Sequence, residues 1–204
     1  MKNSIIVGSI LGLFVSSGAI AATYELEGAH SAVGFKVKHM GISTVPGKFN
    51  TYKGTIAYDK AKPEATKINV EIETASIDTG TAKRDDHLKS KDFFEVTKFP
   101  KMTFVSKTVK ANGATGLTVV GDLTLHGVTK PVTLEVTDLA GPGLNPGDKK
   151  NHVGASVAGT IKRQDFGLTW NGGGMTGLAG EQAIADNVKL EFDIDAVEAA
   201  AAKK

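Results

Sequence analysis

The chain has 204 residues, with 24 Lys and Arg against 22 Asp and Glu, so its formal net charge is only +2 and cations and anions are interspersed along it. That balance leaves no electrostatic footprint for nucleic acid and makes acidic polymers poor partners. Cysteine is absent, which excludes disulfide staples, thiolate metal sites, cysteine nucleophiles and a cysteine-linked lipid anchor.

The first residues combine a positive start at Lys2, an apolar run from Ile5 to Val15, and the small residues Ser16, Ser17, Gly18, Ala19 and Ala21. This is the pattern of a secretory signal peptide, with Ala19 and Ala21 at the small positions of an A-x-A cleavage site. Residues 1–21 are therefore expected to be a removable leader of an exported protein. The run is too short, and too interrupted by Gly8 and Gly12, for a membrane anchor, and no later segment reaches the length of an integral span. No linker-like stretch divides the remainder, so residues 22–198 read as one domain held by its core alone, and residues 199–204 as a tail.

Period-two alternation then recurs along the chain. Val33, Phe35, Val37 and His39 share one parity against Lys36 and Lys38; Ile68, Val70 and Ile72 stand against Asn69, Glu71 and Glu73. The pattern returns in Leu117, Val119, Gly121, Leu123 and Leu125, in Val132, Leu134 and Val136, and in Val188, Leu190, Phe192 and Ile194. Each run buries a single face. Strands also read at Thr51 to Tyr58, Lys101 to Lys110 and His152 to Ile161, with turn signals at Pro46-Gly47, Lys62-Pro63, Asn112-Gly113 and Gly141-Pro142-Gly143. About eight or nine antiparallel strands of this kind fit a closed up-and-down barrel or a sandwich, and closure is what removes exposed edges. The inward set is apolar and nearly free of charge. It either fills the barrel with itself or lines a pocket for an apolar guest, and periodicity does not separate the two.

One stretch breaks the strand pattern, Ala75 to Phe104. Thr79 or Thr81 can cap a short helix carrying Arg84, Asp85, Asp86 and His87. Asp85 with His87 could be an acid/base pair, but no nucleophile motif accompanies them; alternatively Arg84 pairs with carboxylates and pins the crossing to the barrel rim. Phe93 and Phe94, adjacent on a turn, cannot both point one way, so at least one covers or enters the opening. The five histidines, at 30, 39, 87, 126 and 152, form no close ligand pair, so no metal site is expected from them; they read as imidazoles bonded to nearby backbone, with His39 aimed at the barrel mouth by its parity. Gly172-Gly173-Gly174 lacks the residues of a phosphate loop. Trp170, alternating with Phe166 and Leu168, reads as a continuation of an apolar strand face.

Taken in order, these residues resemble the YceI-like family of exported, polyisoprenoid-binding, lipocalin-like barrel proteins. The resemblance rests on Ala29 to Phe35 with Val37 to Met40, Val45 to Phe49, Ala75 to Gly80, Arg84 to Ser90 with Asp92 to Phe94, Phe99 to Phe104, Gly121 to Lys130 and Arg163 to Leu168. It implies an all-β, eight-stranded antiparallel barrel with one short helical crossing, periplasmic, acting by binding and not by catalysis. The implied ligand is a small apolar lipid, an isoprenoid or acyl chain, with no other cofactor and no catalytic residues. Homodimers within the family carry over as an expectation for this chain. The channel is expected to be lined by Phe35, Val37, Val70, Ile72, Phe93, Phe94, Phe104, Leu123, Leu125, Trp170 and Phe192, with His39, Arg84 and His87 meeting the head group at the mouth. The competing readings are a hydrolase or isomerase acting on such a lipid through Asp85 and His87, and a packed barrel without ligand.

Overall fold

The computed structural model describes residues 21–200. The expected leader, up to residue 20, and residues 201–204 of the expected tail lie outside the described residues. Eleven strands and one helix follow in order: β1 (Ala22–Leu26), β2 (Ala32–His39), β3 (Ser43–Phe49), β4 (Tyr52–Tyr58), β5 (Lys67–Glu73), β6 (Ile77–Asp78), α1 (Ala82–Lys89), β7 (Lys101–Ala111), β8 (Leu117–Leu125), β9 (Val128–Leu144), β10 (Asn151–Lys162) and β11 (Ile184–Glu198).

These strands make eight staves of one closed antiparallel barrel. β1 and β2 both pair with β11, through Leu26↔Ala196 and Ala32↔Asp193, so they are one stave interrupted at residues 27–31. β3 pairs with β2 while β4 pairs with β1, and β6 pairs with β3 while β5 pairs with β4, which joins β3 to β4 and β5 to β6 in the same way. The remaining staves run β5–β7–β8–β9–β10–β11, and the β1–β11 ladder closes the ring. Closure satisfies the edge groups that an open sheet would leave unpaired.

Along the seam where three neighbouring staves break, side chains supply the missing bonds. The Glu27 carboxylate accepts from the Ala29 and His30 amides, Tyr52 donates to the Ser31 carbonyl at 2.6 Å, and the Ser76 hydroxyl accepts from the Thr51 amide. Thr74, almost fully buried, donates its hydroxyl to the Phe99 carbonyl.

Alternation is obeyed most strictly in β8, whose inward positions from Leu117 to Leu125 are all buried and whose outward positions are all partly exposed. The strands at residues 51–58, 101–110 and 152–161 form as the sequence pattern predicts. Two turn expectations fail. Pro46-Gly47 lies inside β3, because Gly47 stands opposite Phe35 and the phenyl ring occupies its inner face: a Cβ there would come within 2.3 Å of the ring. Pro46 is tolerated because β6 pairs only with Lys48 and Phe49, leaving that edge of β3 without a partner for the missing N–H. Gly141-Pro142-Gly143 lies inside β9. The ladder runs Ala140↔Gly154 and then Gly143↔His152, so Gly141 and Pro142 together oppose Val153 as a bulge, and the chain reverses instead at residues 145–150.

The core has two parts. The larger fills the wall around Val119, Leu125, Ile77 and Phe166; the smaller gathers Tyr24, Tyr58, Val153 and Ala196 at the end where the chain termini of the barrel meet, called here the base. At the opposite end stand α1, the β2–β3 and β8–β9 turns, and the β10–β11 connection. At the base, His152 bridges Asp195 (Nδ1 to carboxylate, 2.6 Å) and Asp148 (Nε2, 3.0 Å).

A methyl group at Gly121 would sit 2.4 Å from the Phe104 ring and 2.6 Å from the Val105 carbonyl, and the backbone atom cannot yield. Gly121→Ala is therefore expected to cost about 1–3 kcal/mol, read from urea unfolding. The two carboxylates raise the His152 pKa above its ordinary 6.5. This stabilisation is complete below that value and is lost as pH climbs through the raised pKa. Urea midpoints should thus fall as the pH rises above the ordinary histidine value in the native chain, and His152→Gln should flatten that decline.

Candidate ligand cavity

The inward faces enclose a continuous cavity of ≈ 400 Å³ that runs from Tyr58 and Val153 near the base to α1 at the other end. Its wall is Val, Leu, Ile and Phe over most of its length, which is the lining expected of an apolar-ligand site of ordinary size. Every residue expected in the channel lines this one space. Phe35 and Val37 come from β2, Val70 and Ile72 from β5, Phe104 from β7, Leu123 and Leu125 from β8, and Phe192 from β11. Phe93, Phe94 and Trp170 arrive from the connections at the α1 end.

The cavity stays open because its largest wall rings have somewhere else to lie. Phe35 covers Gly47 and Phe104 covers Gly121, each ring approaching the glycine Cα closely enough to exclude a Cβ. The rings therefore lie along the wall instead of crossing the lumen.

At the α1 end the two adjacent phenylalanines do part ways. Phe94 packs edge-on against Phe49, which in turn meets Phe35, with centroids 5.8 and 5.7 Å apart. Phe93 is buried and joins Trp170 (5.1 Å) and His87 (5.1 Å), and His87 meets Trp170 edge-on at 4.8 Å. These pairs form a packed aromatic wall above the channel.

The charged residues of α1 are arranged differently from expectation. Thr81 occupies the cap position, but its side chain makes no capping bond. Asp85 instead reaches back to the Thr79 amide at 2.9 Å and accepts its hydroxyl. Arg84 donates to the Thr79 hydroxyl and carbonyl, both at 2.6 Å, and to the Thr81 hydroxyl; it has no carboxylate within ion-pair distance among the described residues. Arg84 thus ties the start of the helix to the end of β6 through threonine, not through a salt bridge. The Asp85–His87 pair does not form either: Asp85 is committed to Thr79, and His87 Nε2 lies 3.0 Å from Asp92. The reason is helical geometry, since residues two apart do not face each other.

His39, Arg84 and His87 all line the cavity at this end, together with Lys38 and Thr79. The other histidines face carboxylates instead of backbone: His30 meets Glu27 at 2.8 Å, His126 meets Glu95 at 3.8 Å, and His152 makes the two contacts described above. Among the described residues no group of three or more His, Asp and Glu stands where it could hold a metal ion.

Sequence reasoning missed Phe49, Leu88 and Arg163, all of which line the cavity. The parity of Val45, Gly47 and Phe49 would have found Phe49 had Pro46-Gly47 not suggested a turn. Arg163 carried no periodic signal. It is 3% exposed and donates to four backbone carbonyls, those of Leu168, Trp170, Ile184 and Ala185. Burial lowers its pKa, with nearby Asp186 acting the other way, and a guanidinium remains charged regardless. These bonds fold residues 163–170 back on the start of β11. Residues 163–166 form a 3-10 turn, so Trp170 belongs to this tied loop and not to a strand face as expected. In the following loop Gly172 is buried at a φ of +64°, and a Cβ there would fit tightly between Met175 and Ala183.

The fold and cavity together define a closed eight-stranded antiparallel barrel of lipocalin-like type around one apolar channel. A family model described as the YceI-like domain matches residues 24–196, and the chain belongs to this family. A UPF0312 protein of Yersinia enterocolitica is 46% identical over 173 residues, covering 83% of this chain and 88% of that one. The crystal structure of Burkholderia cenocepacia BcnA superposes with a TM-score of 0.72 at 25% identity, over 83% of this chain and 98% of the other. The YCEI protein of Campylobacter jejuni superposes with a TM-score of 0.67 at 34% identity, over 86% and 97%. The fold is also that of a polyisoprenoid binding domain from Saccharophagus degradans, at 18% identity, 88% and 99% coverage and a TM-score of 0.61.

Replacing Arg163 by Met removes the partner of four carbonyls in a site closed to water. It is expected to destabilise the fold by about 2–4 kcal/mol and to release Trp170 from its contacts. Because Trp170 is the only tryptophan, its fluorescence maximum reports that release directly, and a red shift at unchanged far-UV circular dichroism is the expected result.

Proposed function

We propose that this chain is an exported binder of one long apolar lipid chain, of polyisoprenoid or fatty-acyl type, which it shields from water inside the barrel in the periplasm. The observation that carries this reading is the continuous ≈ 400 Å³ cavity, apolar along its length, with its charged lining residues grouped at the α1 end. Each methylene buried there contributes roughly 0.8 kcal/mol, so a few isoprene units offset the cost of immobilising a flexible chain. The polar end of the ligand lies beside His39, Arg84 and His87, where a cationic or titratable group can meet a phosphate, carbonyl or amide oxygen. The leader at residues 1–21 delivers the protein across the inner membrane, and the lipid is its sole non-protein component. The neighbour described as a polyisoprenoid binding domain supports the same ligand class. The Asp85–His87 pair that the hydrolase reading would use is not assembled, because Asp85 is bonded to Thr79 and His87 to Asp92.

The test is gentle purification followed by solvent extraction and mass spectrometry, which should release an isoprenoid or acyl lipid in near-stoichiometric amount. An empty extract from protein purified without detergent means a packed or unliganded barrel. With the identified lipid added back, Trp170 fluorescence should titrate, and the His39→Ala/Arg84→Ala double variant should bind at least about tenfold more weakly. Unchanged affinity in that variant removes these two residues from the head-group site.

A further inference from the structure

Among the described residues, five large hydrophobic side chains are exposed, and three of them stand on two adjoining loops: Ile42 (67% exposed), Met175 (57%) and Leu178 (64%). Ile42 is at the β2–β3 turn, and the other two are in the β10–β11 connection. The backbone locks these two loops together. The Met40 amide donates to the Ala183 carbonyl at 2.9 Å, the Leu178 amide donates to the Met40 carbonyl at 2.8 Å, and Gly177 lies so close to Met40 that a Cβ would be 2.5 Å from its carbonyl carbon. Three apolar tips are thus presented by one tied rim. Isolated exposed apolar residues need no explanation, but a cluster does.

The rim is continuous with the channel. Lys38 and His39, immediately before the turn, line the cavity, as does Ile184 just after the connection. The β2–β3 ribbon beneath Ile42 is cationic. The ribbon from Ala32 to Phe49 carries Lys36, Lys38, His39 and Lys48 and no carboxylate. Lys36 is paired with Glu191, while Lys38 has no carboxylate within ion-pair distance among the described residues; Glu181 is the acid that packs against Gly41 at the turn.

We propose that this rim docks on an anionic lipid surface, with Ile42, Met175 and Leu178 inserting at the interface and Lys38 meeting the head groups, so that the channel opens toward the membrane. The proposal rests on the lipid-chain reading above. An apolar cargo with no soluble concentration has to be exchanged at a bilayer, and an apolar tip backed by cations is the chemistry that holds a protein on one.

The test is co-sedimentation of the purified protein with vesicles of mixed phosphatidylglycerol and phosphatidylcholine, and with vesicles of phosphatidylcholine alone. The native chain should pellet with the mixed vesicles. The Ile42→Ser/Met175→Ser/Leu178→Ser variant should lose at least about tenfold in partitioning, and Lys38→Glu several-fold on the mixed vesicles only. Since all four positions are exposed, circular dichroism should show the native fold in each variant. Extracted lipid is measured on the native chain and the triple variant: retention of lipid with loss of vesicle binding supports docking as a separate property of the rim. Equal pelleting of the native chain and the triple variant overturns the proposal, as does failure of the native chain to pellet. A concentration-dependent dimer that the triple variant abolishes also overturns it, because a second copy would then cover the rim. Rim-dependent pelleting of protein that yields no lipid keeps the docking surface and rejects the cargo.

Discussion

The barrel depends on β11. Of its 15 residues, Asn187–Val197 pair with β10 on one side, and on the other side the strand pairs with two separate strands, β2 over Ile184–Asp193 and β1 over Ala196–Glu198. Only a strand long enough to span both halves of that broken stave can close the ring. Without closure the apolar inner face would be one side of an open sheet, exposed to water and to other chains. Closure also explains why breaks in β1–β2, β3–β4 and β5–β6 are tolerated. The unbroken staves opposite hold the register, and the seam needs only local side-chain bonds to Ser31, Thr51 and Thr74.

A closed eight-stranded ring has room for its own side chains and little more, so a hollow interior requires a device. Here it is the pairing of phenylalanine with glycine across or near adjacent strands, Phe35 with Gly47 and Phe104 with Gly121. Each pair takes volume from the lumen and gives it to the wall. The same principle operates with aliphatic side chains, as Leu134 presses on Gly159 and Leu26 on Gly54. Inward glycines in strands are usually weak points. In this barrel they are sockets, and they make the difference between a filled core and a channel.

This is also where the sequence was hardest to read. The alternation of β8, or of Val188 to Ile194, follows from burial of one face alone, and such runs were legible, as was the closed barrel they imply. Gly47 was not, because a glycine after a proline carries a turn signal whose override lies in a ring 12 positions away on another strand. The bulge at Gly141-Pro142 was concealed in the same way. Arg163 was invisible for a different reason: its partners are main-chain carbonyls, and carbonyls have no sequence identity. The helix α1 was legible as an element, yet its internal bonds were not. A charged cluster in sequence suggests ion pairs, whereas Arg84 and Asp85 both turn to Thr79 because it lies within reach across the first turn.

The two ends of the channel differ in kind, and the difference has a physical direction. At the base, Tyr58 and Thr66 are the polar residues that reach the cavity, and the Thr66 hydroxyl is spent on the Pro63 carbonyl. The aromatic pair Tyr24 and Tyr58 is buried there, and His152 clamps the nearby strands through two carboxylates. At the α1 end the cavity meets Lys38, His39, Arg84 and His87, and the wall is built from connections instead of ladders. Strand ladders open cooperatively and at high cost, while loops and short helices open at low cost. The α1 end is therefore the low-cost end of the barrel, and it is also the end where the cationic and titratable lining residues stand. The barrel's polarity is thus set by topology before any ligand is considered: the hairpin turns and chain ends close the base, and the helical crossing leaves the opposite end as the part of the wall that can yield.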